Sequence, residues 1–440
     1  MSKLRPVLLC LAAVLCATAA PAELQNVEIG GYTQIYGYYY GYDSLPDIAY
    51  ADQWTRLHVK ADFTSDVSAF VEFDSYTPWG DSFRSDYLTG IDTRGTADVA
   101  LYQGYIEVRN LWGAPLTLKA GRQELTFGSE WLIGNNSDCT PVYGLSFDAL
   151  RLTYTADTFT FDLVAAKLAE TFQNFGKGDT DLYIAYASCT AVEDQTFDAY
   201  WIYLRDDGAL NGFPTDIHTA GLRAAGKIGG FDYRAEGAYQ FGGIDNLPSA
   251  CPSPYYAGDA DTNYGAFGAD AQVGYTFDVA WSPRPYLWAA YLGGGDPDRC
   301  LWSNDRTLPF NRLFSDPEYT KIIAFTDMSN LRYYAAGIEL APTESVTLKL
   351  TVGKLEADEP GPDTGCLWWK ETASRDLGWE VDLFANYQYS EDLAFYAMYG
   401  HLFGDRGLEG SFVIGNGLYP WNGDRDDEYN VFYAGTSIEF

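Results

Sequence analysis

Nine basic side chains of this 440-residue chain stand in segments where apolar and polar residues alternate: Arg56, Lys60, Arg109, Lys119, Arg122, Arg151, Arg223, Arg234 and Lys349. Alternation with period two puts successive side chains on opposite faces of a strand, so a cation between apolar neighbours marks the wetter face. In the run from Arg56 to Asp62, Arg56, His58, Lys60 and Asp62 share one face while Leu57, Val59 and Ala61 share the other. Glu107 and Arg109 stand in the same way beside Ile106 and Val108. Lys119, Arg151, Arg223, Lys227, Arg234, Glu236, Lys349 and Asp382 follow the same parity. Arg122 does not, because it shares parity with Leu116 and Leu118, and only a bulge or an interfacial position turns it inward. Guanidinium groups bind carboxylates bidentately, so Arg56, Arg109, Arg151, Arg223 and Arg234 along one polar wall would form a ladder for a carboxylate-bearing polymer. Equally, these arginines can pair with Asp62, Glu107, Asp148 and Glu236 and stiffen a polar interior. The sequence leaves both readings open.

Other chemistry finds little support. The three histidines, His58, His218 and His401, sit in no recognisable catalytic motif, so no enzymatic activity is expected. Leu292-Gly-Gly-Gly295 precedes no helix and reads as the start of a loop rather than a phosphate cradle. Cys139, Cys189, Cys251, Cys300 and Cys366 contain no CxxC pair, which favours a loop disulfide over a metal site. Their pairing is open, with Cys189 left over.

The elements that must position these cations are strands. Beyond residue 23 no apolar run is long enough for a helical membrane span, yet 47% of the chain is hydrophobic and 16% aromatic. Strands that are apolar on one face only accommodate this, with the aromatics gathered at two membrane interfaces. The alternation divides residues 23–440 into 18 strands, near 27–42, 53–64, 67–76, 99–110, 115–127, 146–155, 158–168, 181–189, 197–206, 216–228, 231–242, 263–280, 285–293, 331–341, 345–355, 376–389, 393–403 and 427–440. Tight turns such as Ala156-Asp157 and Gly229-Gly230 alternate with long connections such as 77–98, 294–330 and 356–375. The stretch Cys189–Gln195 fits either a turn or a strand end. An antiparallel, up-and-down transmembrane β-barrel of one domain is expected, with short periplasmic turns and long extracellular loops.

Both ends of the chain agree. Phe432, Ala434, Thr436, Ile438 and Phe440 share one face of the last strand, and Val431, Tyr433, Gly435, Ser437 and Glu439 the other. A terminal phenylalanine on the apolar face resembles the C-terminal signal of bacterial outer-membrane barrels. At the start, Lys3 and Arg5, the apolar stretch Val7–Cys16 and Ala20-Pro21-Ala22 read as a secretion signal over residues 1–22. Export to the outer membrane follows.

Gly121-Arg-Gln-Glu-Leu-Thr-Phe-Gly128 followed by Phe147-Asp-Ala-Leu-Arg-Leu152 resembles the signature of the alginate export family of outer-membrane porins. Further matches come in order: Ala238-Tyr-Gln-Phe-Gly242, Gly274-Tyr-Thr-Phe277, Trp281-x-Pro283-Arg-Pro285 and Pro309-Phe-Asn-Arg-Leu-Phe314. The resemblance implies an 18-stranded barrel passing an anionic exopolysaccharide through a constriction lined with Arg and Lys. One departure stands out: Trp131 occupies the place where the family carries a basic residue.

The formal charge of -33, with 28 basic against 61 acidic residues, opposes nucleic-acid binding and would repel a polyuronate if it lined the passage. Many carboxylates fall in the expected outer loops: Asp43, Asp47, Asp52, Asp179, Asp181, Asp296, Asp298, Asp358, Glu359, Asp363, Asp424, Asp426, Asp427 and Glu428. They are expected to be solvated or tied by divalent cations to lipopolysaccharide, and no other cofactor is expected. The leading expectation is a channel for a charged saccharide, in a monomer. A diffusion porin favouring cations or neutral solutes is the alternative, and a surface protein plugged by loops 294–330 and 356–375 is the third.

Overall fold

The computed structural model describes residues 24–42, 47–80, 99–136, 144–170, 178–208, 214–247, 260–295, 306–322, 329–359, 374–405, 407, 412–414, 417–419 and 428–440. Residues 1–22 and Cys139, Cys251, Cys300 and Cys366 lie outside them, as do Asp43, Asp296, Asp298, Asp363, Asp424, Asp426 and Asp427. Cys189 is described, half-buried and with a free thiol.

The strands run in chain order as β1 (Asn26–Tyr42), β2 (Ile48–Asp62), β3 (Val67–Pro78), β4 (Ala100–Val108), β5 (Leu116–Gln123), β6 (Phe147–Thr155), β7 (Phe159–Ala169), β8 (Thr180–Cys189), β9 (Gln195–Asp207), β10 (Pro214–Ile228) and β11 (Phe231–Leu247). They continue as β12 (Ala260–Tyr264), β13 (Phe267–Tyr275), β14 (Arg284–Leu292), β15 (Arg306–Leu308), β16 (Leu331–Thr343), β17 (Val346–Ala357), β18 (Asp376–Gln388), β19 (Leu393–Gly404), β20 (Phe412–Ile414), β21 (Gly417–Tyr419) and β22 (Glu428–Glu439). All but β12, β15, β20 and β21 form a closed barrel of 18 antiparallel strands. Closure is made by β22, which pairs with β19 on one side and β1 on the other. The last residue joins it: Phe440 donates to the Gly31 carbonyl at 3.0 Å and accepts from the Gly31 amide at 2.8 Å.

Side-chain parity decides which face meets what. On β22, Val431 and Tyr433 are buried inside while Phe432, Ile438 and Phe440 are exposed outside, as the alternation requires. Turn chemistry sets the register. Gly229 adopts φ +61, the left-handed backbone that a two-residue hairpin needs, and Ile228 faces Phe231 across it. The segment between Cys189 and Gln195 is a turn.

Two local differences from the sequence reading have physical reasons. The strand expected over 263–280 breaks after Tyr264, because β12 leaves the β13 line to pair in parallel with β15. It also stops at Tyr275, and residues up to Pro283 turn the chain, with Trp281 and Ser282 at positive φ. Next, the connections after β5 and β15 fold into the barrel. Residues 124–136 and 309–322 meet through a parallel bridge between Ile133 and Phe314. The Phe314 amide donates to the Leu132 carbonyl at 2.9 Å, Gly134 to Phe314 at 2.7 Å, and Asp316 to Glu130 at 3.0 Å. These backbone bonds give the irregular segments the partners that water would otherwise supply. Trp131, Leu125, Phe310 and Tyr319 are buried between the segments and the wall, and form much of the core.

Candidate functional site

The lumen is the site, and the inserted segments divide it into two unlike sides. On the side of β2 to β13, the inward arginines hold carboxylates. Arg56 binds both oxygens of Glu72, at 2.9 and 2.8 Å, and reaches Glu124 at 3.1 Å. Arg151 binds Asp162 at 2.8 Å, Arg223 binds Asp198 at 2.5 Å, and Arg234 approaches Asp270 at 3.6 Å. Several also grip the first inserted segment. Arg151 lies over the Phe127 ring at 4.9 Å, and Ser129 donates to Glu236 at 2.6 Å while Glu236 lies 3.9 Å from Arg223. A buried pair of this kind braces the wall, since each charge compensates the other in a poorly solvated place.

Trp131 carries the junction of the segments. It is fully buried, stacks on Phe310 at 5.5 Å and donates from Nε1 to the Tyr319 hydroxyl at 2.9 Å. Tyr319 in turn donates to Asp270 at 3.1 Å. The residue that departs from the family pattern therefore joins the two inserted segments.

The opposite side stays open. Between Glu318–Lys321 and the inner faces of β1, β14, β16 to β19 and β22 lies a cavity of about 480 Å³. Eight aromatic rings line it: Tyr32, Tyr36, Trp288, Tyr319, Tyr333, Phe384, Tyr396 and Tyr433. They fall in groups: Tyr36 lies within 6.2 Å of Tyr396 and 5.6 Å of Tyr433, and Trp288 within 5.3 Å of Tyr319 and 5.1 Å of Tyr333. Lys321, Lys349, Glu318 and Asp382 set the charges among them. Lys349 lies 3.8 Å from Glu339 and 5.4 Å from the centre of the Tyr286 ring. Lys321 pairs with Glu318, while its amide and the Thr320 hydroxyl both donate to Glu380, which anchors the segment to β18. Burial opposes the Lys321 charge, but Glu318 outweighs it and holds the ammonium above its ordinary range.

The remaining candidates fall in several places. Lys60 faces inward and reaches Glu28 at 3.6 Å, and Lys119 lies 4.0 Å over the Tyr105 ring. Arg109 sits at the turn end of the wall beside Glu107 at 2.7 Å, well exposed. Arg122 is the correction. No bulge turns it, because it stands in regular register opposite Asp148 and on the outward parity of Leu150 and Tyr154. Its Nε and Nη2 donate to the two Asp148 oxygens at 2.8 Å each, outside the lumen. Glu318, Tyr319 and Lys321 are lining residues that alternation could not reveal, since they belong to no strand. The signal for the aromatic side was present in the even-numbered tyrosines Tyr32, Tyr36, Tyr38 and Tyr40 of β1. Among the described residues, no group of three or more His, Cys, Asp or Glu side chains is placed to hold a metal ion.

The alginate export family profile matches residues 39–404. No curated protein matches the chain in sequence. Among solved structures, OpdQ of Pseudomonas aeruginosa superimposes with a TM-score of 0.58 at 11% identity, covering 94% of this chain and 99% of that one. The outer membrane protein opdK of P. aeruginosa gives 0.52 at 10% identity, with 94% and 99% covered. OccAB4 of Acinetobacter baumannii gives 0.51 at 11%, with 96% and 100% covered. At these identities the likeness is one of fold. With a closed 18-stranded barrel, a polar lumen and a profile match over most of its length, the chain belongs to the alginate export family and is an outer-membrane channel.

Proposed function

We propose that the channel passes an acidic saccharide in short stretches along the aromatic side of its lumen. The observation that carries this reading is the 480 Å³ cavity, whose eight rings stand beside Lys321 and Lys349. Sugar rings have apolar faces that lie flat on aromatic side chains, whose polar tips then meet hydroxyl groups. An ammonium group at the edge supplies the complement to a uronate carboxylate. A cavity of this size is in the range of small-molecule sites, so a few sugar units occupy it at a time. In this reading Lys349, held only loosely by Glu339, takes the part expected of the arginine ladder, with Lys321 beside it already paired to Glu318.

A second reading, a channel favouring cations or neutral solutes, draws on one observation. Arg56, Arg151, Arg223 and Arg234 are each matched to an acid, while the whole chain carries -33. The reversal potential of the refolded protein in a planar bilayer under a salt gradient separates the two. Anion preference, with current blocked by added oligouronate but not by a neutral oligosaccharide, supports the acidic saccharide. Cation preference without blockade overturns it.

A further inference from the structure

The carboxylates around the aromatic cavity are not all spoken for. Glu318 is taken up by Lys321, and Glu380 by the Lys321 amide and the Thr320 hydroxyl. Asp382 lines the same cavity and is left over. Lys321 and Lys349, the two ammonium groups there, are paired with Glu318 and Glu339 instead. The Oδ1 of Asp382 is shut away from water and meets no hydrogen-bond donor among the described residues. Thr351 stands directly across from it on β17, but the Thr351 hydroxyl shares its bond with the Tyr286 hydroxyl at 2.6 Å. A poorly solvated carboxylate beside other acids is unfavourable, and a cation carried in by a ligand would offset that.

The loosely held base of the cavity lies next to this acid. Lys349 is directly opposite Phe384, and Asp382 is two residues along the same face of β18. Acid and base therefore stand on a diagonal of the β17–β18 pair, with backbones about 7–8 Å apart. Phe384 belongs to the same patch and packs near-parallel to Tyr396, at 6.3 Å and 29°. All four residues line the cavity. One small area thus offers an ammonium group, an apolar plane and a carboxylate.

We propose that this patch selects an acidic amino sugar: its ammonium group meets Asp382, its carboxylate meets Lys349, and its ring lies on Phe384. The proposal rests on the reading that the aromatic side binds an acidic saccharide, and it adds a second charge to that ligand. In an amino uronate the amine and the carboxylate sit on opposite edges of one ring, which suits an acid and a base set on a diagonal. A plain uronate would reach Lys349 but bring its own charge toward the unpaired Asp382. An N-acetylated unit would present a neutral amide where a cation is wanted.

The test is blockade of the current through the refolded full chain in a planar bilayer, at mildly acid pH where a sugar amine holds its proton. Three probes are compared: short oligomers of glucosaminuronate, of its N-acetylated form, and of glucuronate. The free amine is expected to halve the current at a concentration at least about tenfold below the other two, as one charge-assisted hydrogen bond would give. Asp382→Asn keeps the shape of the side chain and is expected to erase that preference while leaving glucuronate blockade no weaker. Equal blockade by the free amine and the N-acetylated form overturns the proposal, and so does a preference that survives Asp382→Asn. If glucuronate blocks as strongly as the free amine, the ammonium site falls while the acidic-saccharide reading stands. If none of the three blocks, that reading falls and this one with it. Should the variant fail to insert, the wild-type comparison of free amine with N-acetylated form decides alone.

Discussion

The two sides of the lumen are built from the same inward-facing alternation and do opposite things with it. From β2 to β13 the inward cations find carboxylates within a strand or two, and an inserted segment fills the space over them. From β14 round to β1 the inward positions are mostly aromatic, and the filler stops short, leaving a cavity. A cation in a wall is thus not a binding group by virtue of its type. It becomes one only where its acid is held loosely and water still reaches it. Lys349, 3.8 Å from Glu339 across the strand pair and 37% exposed, meets both conditions, and Arg223, 2.5 Å from Asp198, meets neither.

The largest way to break this contrast is to remove the filler. Replacing Phe310–Lys321 with a short Gly-Ser linker takes away Tyr319, the Glu380 anchor and the bridge to Ile133 together. Single-channel conductance in a planar bilayer is expected to rise several-fold, and blockade by oligouronate to disappear. An unchanged conductance would show that residues 309–322 do not set the narrowest point. Next in size is a stability effect on the braced side. Arg223→Ala leaves Asp198, which is only 4% exposed, without its cation. A loss of about 3–5 kcal/mol is expected from the denaturant midpoint of the protein in lipid vesicles. Lys349→Ala, on the open side, is expected to change the midpoint by less than about 1 kcal/mol, since its ion pair with Glu339 is long and half-exposed.

Selectivity should reverse that order. Lys349→Gln removes a cation from the cavity edge and is expected to move the reversal potential measurably toward cations. The charge-neutral pair Arg151→Gln with Asp162→Asn lies behind the inserted segment and is expected to leave the reversal potential unchanged. Equal shifts from the two would mean that ions travel along both sides.

Much of this architecture is legible in the sequence because strand alternation is local. The face of β22 that holds Phe432, Ile438 and Phe440 follows from parity alone, as does the inward placement of Arg56, Arg151, Arg223 and Lys349. What is not local is not legible. Nothing in the spacing of Arg56 says that Glu72 and Glu124 will meet it, since the register between β2 and β3 and the path of residue 124 decide that. Residues 309–322 have no period at all, so although 294–330 could be read as a loop able to enter the lumen, the residues of it that shape the cavity could not. Arg122 shows the other limit: parity placed it outward, and the structure agrees with parity rather than with a bulge.

The finest probe of the comparison is the junction between its halves. Trp131 touches the second inserted segment in two ways, by stacking on Phe310 and by the bond to Tyr319. Trp131→Phe keeps most of the stacking surface and deletes the donor. The Tyr319 hydroxyl retains Asp270 as an acceptor, so no buried group is left wholly unsatisfied. A destabilisation of about 1 kcal/mol is expected, within what one neutral hydrogen bond contributes, together with the smaller ring. The more telling readout is current noise. If Trp131 pins residues 309–322 in place, the variant should flicker between conductance levels while its mean selectivity stays put. Were the noise unchanged, the backbone bridge at Ile133 and Phe314 and the Glu380 anchor would suffice to hold the segment, and the Trp131 donor would add nothing to it.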